Sequence, residues 1–213
     1  MSKILFLLTG TTGGLGHEIE KLFINKKIDH ISINRNDVDL SSIGDVGEFI
    51  SDLKQEIITD YHDYKIVFIN NAAMLGKSLP LNLCNSKDII RLINTNLLSP
   101  ILFLNMLSSV GNKWMVFNIT SGAATTYNKF LGLYSTTKLA VENYIKFVDL
   151  EAEEINCLWT YNHDPGMMKT SMHDDLKTSK FFKNERFDKI VPKDAKITAT
   201  EVWDLLSKMV NND

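Results

Sequence analysis

Cysteine is scarce in this chain, and no other metal-binding pattern takes its place. The two cysteines, Cys84 and Cys157, form no Cys-x-x-Cys pair, and the five histidines show no ligand spacing. We therefore expect free thiols in a reducing compartment and no metal site. The apolar run at 4–8 ends after five residues, which is too short for a signal peptide core or a membrane span.

The chain has no large excess of either positive or negative charge. The formal net charge is −3, with acidic and basic residues interspersed, so no basic stripe points to a nucleic acid. We therefore expect a soluble, cytoplasmic protein whose partner is a small molecule, with no nucleic-acid or membrane partner.

Strand and helix patterns alternate along the chain. With 213 residues it is long enough for one domain with a substantial core. Apolar runs predict buried parallel strands at 3–8, 65–70 and 114–119, and further strands fit 29–34 and 156–161. Helical periodicity predicts helices at 17–26, 46–59, 86–109 (interrupted by Pro100), 134–154 and 199–210. This order predicts one α/β domain over 1–213, a Rossmann-type doubly wound parallel sheet. Polar residues 171–196 read as a loop with one short helix near 174–182.

A glycine-rich loop lies between the first predicted strand and helix. Gly10, Gly14 and Gly16 would let the backbone approach a pyrophosphate, whose charge the helix N-terminus stabilises. A plain glycine turn is the alternative. The second predicted strand ends at Asn34 and Arg35, where a cation suits the 2′-phosphate of NADP. A solvated surface arginine is the alternative there.

Tyr134 and Lys138 are four positions apart, so on a helix their side chains share one face. A nearby ammonium favours the phenolate and brings a tyrosine closer to the range where it exchanges protons. Ser121 follows the fourth predicted strand and would lie at the carboxyl edge of the sheet. The pair alone reads as an ordinary helix face, but the serine at this spacing favours a catalytic set.

Five motifs in this order resemble the short-chain dehydrogenase/reductase family from Lys3 to about Thr170. They are Thr-Gly-x-x-x-Gly-x-Gly at 9–16, Asn-Asn-Ala-Ala at 70–73, Asn96, the set Ser121/Tyr134/Lys138, and Pro-Gly-x-x-x-Thr at 165–170. Within the family the chain is similar to sepiapterin reductases and bacterial benzil reductases.

The resemblance implies a carbonyl reductase that uses NADP(H), with NAD(H) as the other candidate. Tyr134 would protonate the developing alkoxide, Ser121 would hold that oxygen, Lys138 would grip the nicotinamide ribose, and Asn96 would hold a water. The implied cofactor contacts are Gly10, Thr12, Gly14, Leu15, Gly16, Asn34, Arg35, Asp39, Leu40, Asn71, Ala72, Ala73, Tyr134, Lys138, Pro165, Gly166, Met168 and Thr170. Residues 171–196 would form an apolar substrate lid.

Two departures from the family pattern are visible. Asp39 follows Arg35 by only four positions, so one βα unit is missing, and no final strand follows the last helix. We expect a sheet of five or six strands and a homodimer through the helices at 86–109 and 134–154. A sugar-nucleotide or fatty-acyl substrate, or a dinucleotide-binding regulator without turnover, stays open.

Overall fold

A five-stranded parallel sheet forms the centre of the molecule, which a computed structural model describes for residues 3–211. The strands are β1 (Ile4–Thr9), β2 (His30–Ile33), β3 (Lys65–Asn70), β4 (Trp114–Ile119) and β5 (Cys157–His163). Their order is β2-β1-β3-β4-β5, with every pair parallel. The predicted doubly wound parallel sheet is confirmed, at the lower end of its expected size.

Helices cover both faces of this sheet. They are α1 (Gly14–Lys26), α2 (Ile43–Asp60), α3 (Ser86–Ile93), α4 (Ser99–Leu107), α5 (Gly132–Leu150), α6 (Ser171–Thr178), α7 (Glu185–Asp188) and α8 (Ala195–Asn211). One apolar cluster joins the sheet to α2, α4 and α5, and a second joins it to α1 and α8. The three central strands, β1, β3 and β4, are mainly apolar because both of their faces are buried, whereas the edge strands β2 and β5 are partly exposed.

The strand order reverses direction at β1, whose neighbours are β2 and β3. Ligands of open α/β sheets bind beside such a switch point, at the carboxyl ends of the strands. The glycine loop follows β1 and residues 71–73 follow β3, so both predicted cofactor segments lie at this point.

The connection from β2 to α2 is as short as the sequence indicates. The chain passes from Ile33 to the start of α2 at Ile43 with no further strand. Ser42 caps α2, its side chain accepting from the Asp45 backbone N–H. As a result β2, with only four residues, is an edge strand of the sheet.

The helical run 86–107 is interrupted as Pro100 predicts. A π-helical turn, Asn94–Leu98, separates α3 from α4, and Pro100 stands in the first turn of α4, where its missing N–H is tolerated. By length and composition this run could cross a membrane, with a mean hydropathy of 1.3. However, Phe103, Leu104 and Leu107 pack in the core under the sheet, as in the core helix of a globular domain.

The segment after β5 differs from its prediction. Two short helices, α6 and α7, replace the single helix expected near 174–182, and α8 begins at Ala195 rather than 199. An isolated parallel bridge between Met168 and Lys193 joins the two ends of the segment. The predicted lid is therefore a closed loop anchored at its base.

Candidate active site

Strand β4 and helix α5 bring the predicted catalytic side chains together. Ser121 follows β4 directly, and its hydroxyl accepts from the Ala123 N–H at 3.2 Å. Tyr134 and Lys138 lie on the first two turns of α5, and only 8% and 5% of their surfaces are exposed. The Ser121 hydroxyl also acts on the Tyr134 phenol, whose pKa it lowers. The spacing that the sequence shows therefore becomes a buried polar cluster at the carboxyl edge of the sheet.

Burial dominates the electrostatics of this cluster. Burial raises the pKa of Tyr134, while the Ser121 hydroxyl acts in the opposite direction and the Asp164 carboxylate raises the pKa further. Burial also lowers the pKa of Lys138 to about 8, against a smaller opposing effect of Glu142. The Lys138 ammonium donates to the Ile119 carbonyl at 2.8 Å. In this arrangement Ser121 is the group that favours the phenolate, and a direct effect of Lys138 on the phenol stays a prediction.

Asn96 lies in the π-helical turn and is 3% exposed. Its amide accepts from the Met74 N–H and donates to the Met74 carbonyl, both at 2.8 Å. The same amide nitrogen donates to the Thr137 hydroxyl at 3.2 Å, and Thr137 donates to the Tyr134 carbonyl. Asn96 therefore fixes the loop after β3 against α5. Pro100 cannot donate to the Asn96 carbonyl, because proline has no N–H.

The glycine loop fits a pyrophosphate. A Cβ on Gly16 would stand 2.2 Å from the Gly10 carbonyl oxygen, so the helix can approach the strand only with glycine there. Gly10 and Gly14 adopt positive φ angles of 78° and 56°, which glycine adopts without strain. Helix α1 has no side-chain cap and no acidic residue in its first turn. Its N-terminal N–H groups, next to Thr12 and Leu15, are therefore available for an anion.

Residues 71–73 are bound tightly to this loop. The Asn71 side chain donates to the carbonyls of Thr9 and Gly10, at 2.9 and 3.2 Å. The backbone N–H groups of Asn71 and Ala72 both donate to the Thr9 hydroxyl. The Asn71 side chain is thus used in these hydrogen bonds. The predicted contact of Asn71 with the cofactor, like that of Ala73, would therefore be made through the backbone.

The predicted adenosine end of the site lies in the turn after β2. The Asn34 side chain accepts from the Asn36 N–H, and the Asp39 carboxylate accepts from both the N–H and the hydroxyl of Ser41. These hydrogen bonds lower the pKa of Asp39. Arg35 is exposed, and among the described side chains its guanidinium has no hydrogen bond or salt bridge, although its charge contributes to the lowered pKa of Asp39. Leu40 packs against the core on the same turn.

The Pro165–Thr170 segment approaches the glycine loop from the other side. Thr170 lies 3.3 Å from the position that a Cβ on Gly14 would take. Gly166 adopts a φ of 77°, and Met168 forms the bridge that anchors the lid. The two predicted cofactor segments are therefore neighbours in space.

An apolar cavity is lined in part by Tyr134. Its volume is about 370 Å³, and its walls come from the loop after β3, α3 and the start of α5. The side chains of Leu75, Leu131 and Tyr134 form one cluster with Leu176 and Phe182 of the lid segment. Residues of the 171–196 segment therefore pack against Tyr134, and the role of this segment as a substrate lid stays a prediction.

Sequence reasoning missed two features of the site. Asn70, Asn118 and Asn162 form a chain of side-chain hydrogen bonds across β3, β4 and β5, each 2.7 Å long. Asp164 places a carboxylate oxygen 3.2 Å from the Cβ position of Gly122. A carboxylate directly after a predicted strand and before Pro-Gly was the available signal for Asp164. The asparagines have no local signal, because their partners are distant in the chain.

Comparison with known proteins finds a matching family model, two proteins of similar sequence and a solved structure of similar fold. The family model described as short chain dehydrogenase matches residues 44–180. The chain is 26% identical over 209 residues to a benzil reductase ((S)-benzoin forming) of Bacillus subtilis (strain 168), covering 87% of this chain and 84% of the relative. It is 25% identical over 199 residues to a protein of the same name from Bacillus cereus, covering 80% and 78%. Among solved structures, a 4-hydroxyisoleucine dehydrogenase complexed with NADH is similar in fold, with a TM-score of 0.77, 17% identity, and coverage of 98% and 93%.

Proposed function

The chain belongs to the short-chain dehydrogenase family of oxidoreductases, and on that premise we propose that it is an NADP(H)-dependent carbonyl reductase. The observation that carries the proposal is the cluster of buried Tyr134 and Lys138 on α5 with Ser121 at the end of β4, whose hydroxyl acts on the Tyr134 phenol. Two relatives named benzil reductase support a ketone or diketone as the substrate.

In the proposed reaction the bound nicotinamide supplies the hydride, and the protein positions the substrate and moves the proton. Tyr134 donates its phenol proton to the substrate oxygen, and burial favours this role because it keeps the phenol protonated. Ser121 donates a hydrogen bond to the same oxygen as negative charge develops on it. The charged form of Lys138, held by the Ile119 carbonyl, lies one helical turn from the tyrosine and would bind the ribose hydroxyls.

The NADP preference rests on the turn after β2. Arg35 is exposed and has no salt bridge with the described residues, so its guanidinium is available to a 2′-phosphate. Asn34 stands where NAD-binding folds place an acid for the ribose hydroxyls, and its side chain is engaged in its own turn. Both features favour NADP over NAD.

The substrate class follows from the cavity beside Tyr134. Leucines form much of its wall, together with Phe130, and the Lys77–Asp88 ion pair lies at its side. Such a wall favours an apolar ketone or diketone of modest size. A sugar nucleotide would leave its many polar groups without partners there, and a fatty-acyl intermediate is the stronger competitor.

Two assays test this function. Oxidation of NADPH is followed with an aryl diketone, an aliphatic diketone, a sugar nucleotide and an acyl thioester as substrates, and we expect turnover with a diketone. Fluorescence titration then compares the cofactors: Arg35→Ala should weaken NADPH binding roughly 30-fold, from the loss of about 2 kcal/mol. NADH, which lacks the 2′-phosphate, is the internal control and should bind unchanged. Equal losses for both cofactors would contradict the role of Arg35.

A further inference from the structure

Asp164 places a carboxylate at the rim of the catalytic cluster. It follows β5 directly, and the carboxyl end of β5 lies beside that of β4, which carries Ser121. One carboxylate oxygen lies 3.2 Å from the Cβ position of Gly122, the residue after the serine. The other accepts from the Gly166 N–H at 2.9 Å. The side chain is thus held in a fixed orientation next to the place where the reacting oxygen binds.

The charge of the Asp164 carboxylate is not paired with a cation among the residues that the structure describes. Asp164 is exposed, and none of the lysines and arginines described between residues 3 and 211 forms a salt bridge with it. Its charge acts on the neighbouring groups: it adds to the burial that raises the pKa of Tyr134, and it opposes the burial that lowers the pKa of His163. A substrate that enters the cluster meets the same negative field.

We propose that Asp164 determines substrate charge: it selects neutral carbonyl compounds and excludes those that carry a negative charge next to the reacting carbonyl. The inference deepens the proposed function and rests on it. A 2-oxo acid would place its carboxylate close to that of Asp164, and like charges placed together oppose binding strongly. A neutral ketone, diketone or ester has no such penalty.

The same charge has a consequence that does not depend on turnover. Removing it should lower the pKa of the Tyr134 phenol, because the phenolate would lose a repulsive neighbour. The other titratable groups around the phenol would be unchanged by the substitution: Lys138 on α5, His173 on α6, and Lys77, Cys84 and Asp88 on the cavity wall.

The experiment compares wild type with Asp164→Asn. Asparagine keeps an oxygen that can accept from the Gly166 N–H, so the turn is retained while the charge is lost. The substrates are phenylglyoxylate and its methyl ester, which differ mainly in charge. We expect Asp164→Asn to raise the ratio of kcat/KM for the acid to that for the ester by about tenfold. Asp52→Asn, an equal charge change at an exposed position on α2, should leave the ratio unchanged.

A second readout separates this proposal from the proposed function. The ultraviolet titration of the Tyr134 phenol is isolated by subtracting the matching Tyr134→Phe protein, in wild type and in Asp164→Asn, without cofactor. With turnover, an unchanged acid-to-ester ratio overturns the proposal. Without turnover in wild type, the reductase function fails. The titration then decides, because a phenol pKa that Asp164→Asn does not lower overturns the role of Asp164.

Discussion

Lys138 is a buried ammonium, and replacing it should show how much its burial costs the stability of the folded protein. Burial lowers its pKa from the ordinary 10.5 to about 8. Each pKa unit corresponds to about 1.4 kcal/mol, so the charged form costs the folded state about 3 kcal/mol at neutral pH. Lys138→Met removes that cost while filling a similar volume. It also leaves the Ile119 carbonyl without its donor, a loss of roughly 1 kcal/mol that does not depend on pH.

The pH dependence shows whether a gain in stability of Lys138→Met comes from removing the buried charge. Below pH 8 the folded and the unfolded protein both hold the proton on Lys138, so the whole penalty is present. Between pH 8 and 10.5 the unfolded state holds more of this proton, so the stability of wild type rises with pH. The advantage of Lys138→Met should therefore shrink by about 3 kcal/mol across this interval. Other titrating groups, including Cys157, are common to both proteins and cancel in the difference.

Urea unfolding followed by circular dichroism, from about pH 7 to about pH 10.5, measures this difference. The control is Lys146→Met, which removes an exposed lysine from the same helix and should give a flat difference. A flat difference for Lys138→Met as well would refute the reasoning, because it would mean that the ammonium at position 138 remains hydrated in the folded protein.

Three further predictions concern the single residues Gly16, Cys157 and Phe147. Gly16→Ala would force a Cβ to within 2.2 Å of the Gly10 carbonyl oxygen. We therefore expect a loss of about 1–3 kcal/mol of stability in urea unfolding and a loss of cofactor binding by titration. A variant that binds the cofactor normally would contradict the role of the glycine loop. Burial raises the pKa of the Cys157 thiol to about 12, so a thiol reagent should label Cys84 first and Cys157 only on unfolding, and equal labelling rates would count against this. Phe147 is 56% exposed on α5, so Phe147→Asp should convert the expected homodimer into a monomer in light scattering; a wild-type monomer would disprove the dimer.

The central strands β1, β3 and β4 could be predicted because each is a mainly apolar run buried on both faces. The edge strands β2 and β5 carry a weaker signal, because they are partly exposed and contain polar residues. Strand β5 also extends two residues beyond its predicted end, to His163. Asn162 and His163 are polar, but they pair with Asn118 and Ile119 of β4, and the sequence alone cannot show this pairing. Helix α5 was predicted in place, but it spans Gly132–Leu150 and ends four residues before the predicted end at 154.

The site could be predicted where local motifs carry it and not where distant contacts do. The glycine loop and the set Ser121, Tyr134 and Lys138 follow from spacing. The bond from Lys138 to the Ile119 carbonyl, 19 positions away, depends on how α5 packs on β4. The position of Asp164 depends in the same way on the neighbouring strand ends, and the two lid helices depend on packing against the Tyr134 cluster.

The role of Tyr134 as proton donor is the central claim of this account, and Tyr134→Phe tests it most directly. The measurement is kcat with NADPH and the best diketone, together with fluorescence titration of NADPH for the same protein. The account predicts a fall in kcat of about 10²–10⁴-fold with cofactor binding retained, because phenylalanine keeps the ring packing and removes only the hydroxyl. Turnover by Tyr134→Phe close to that of wild type would contradict the claim.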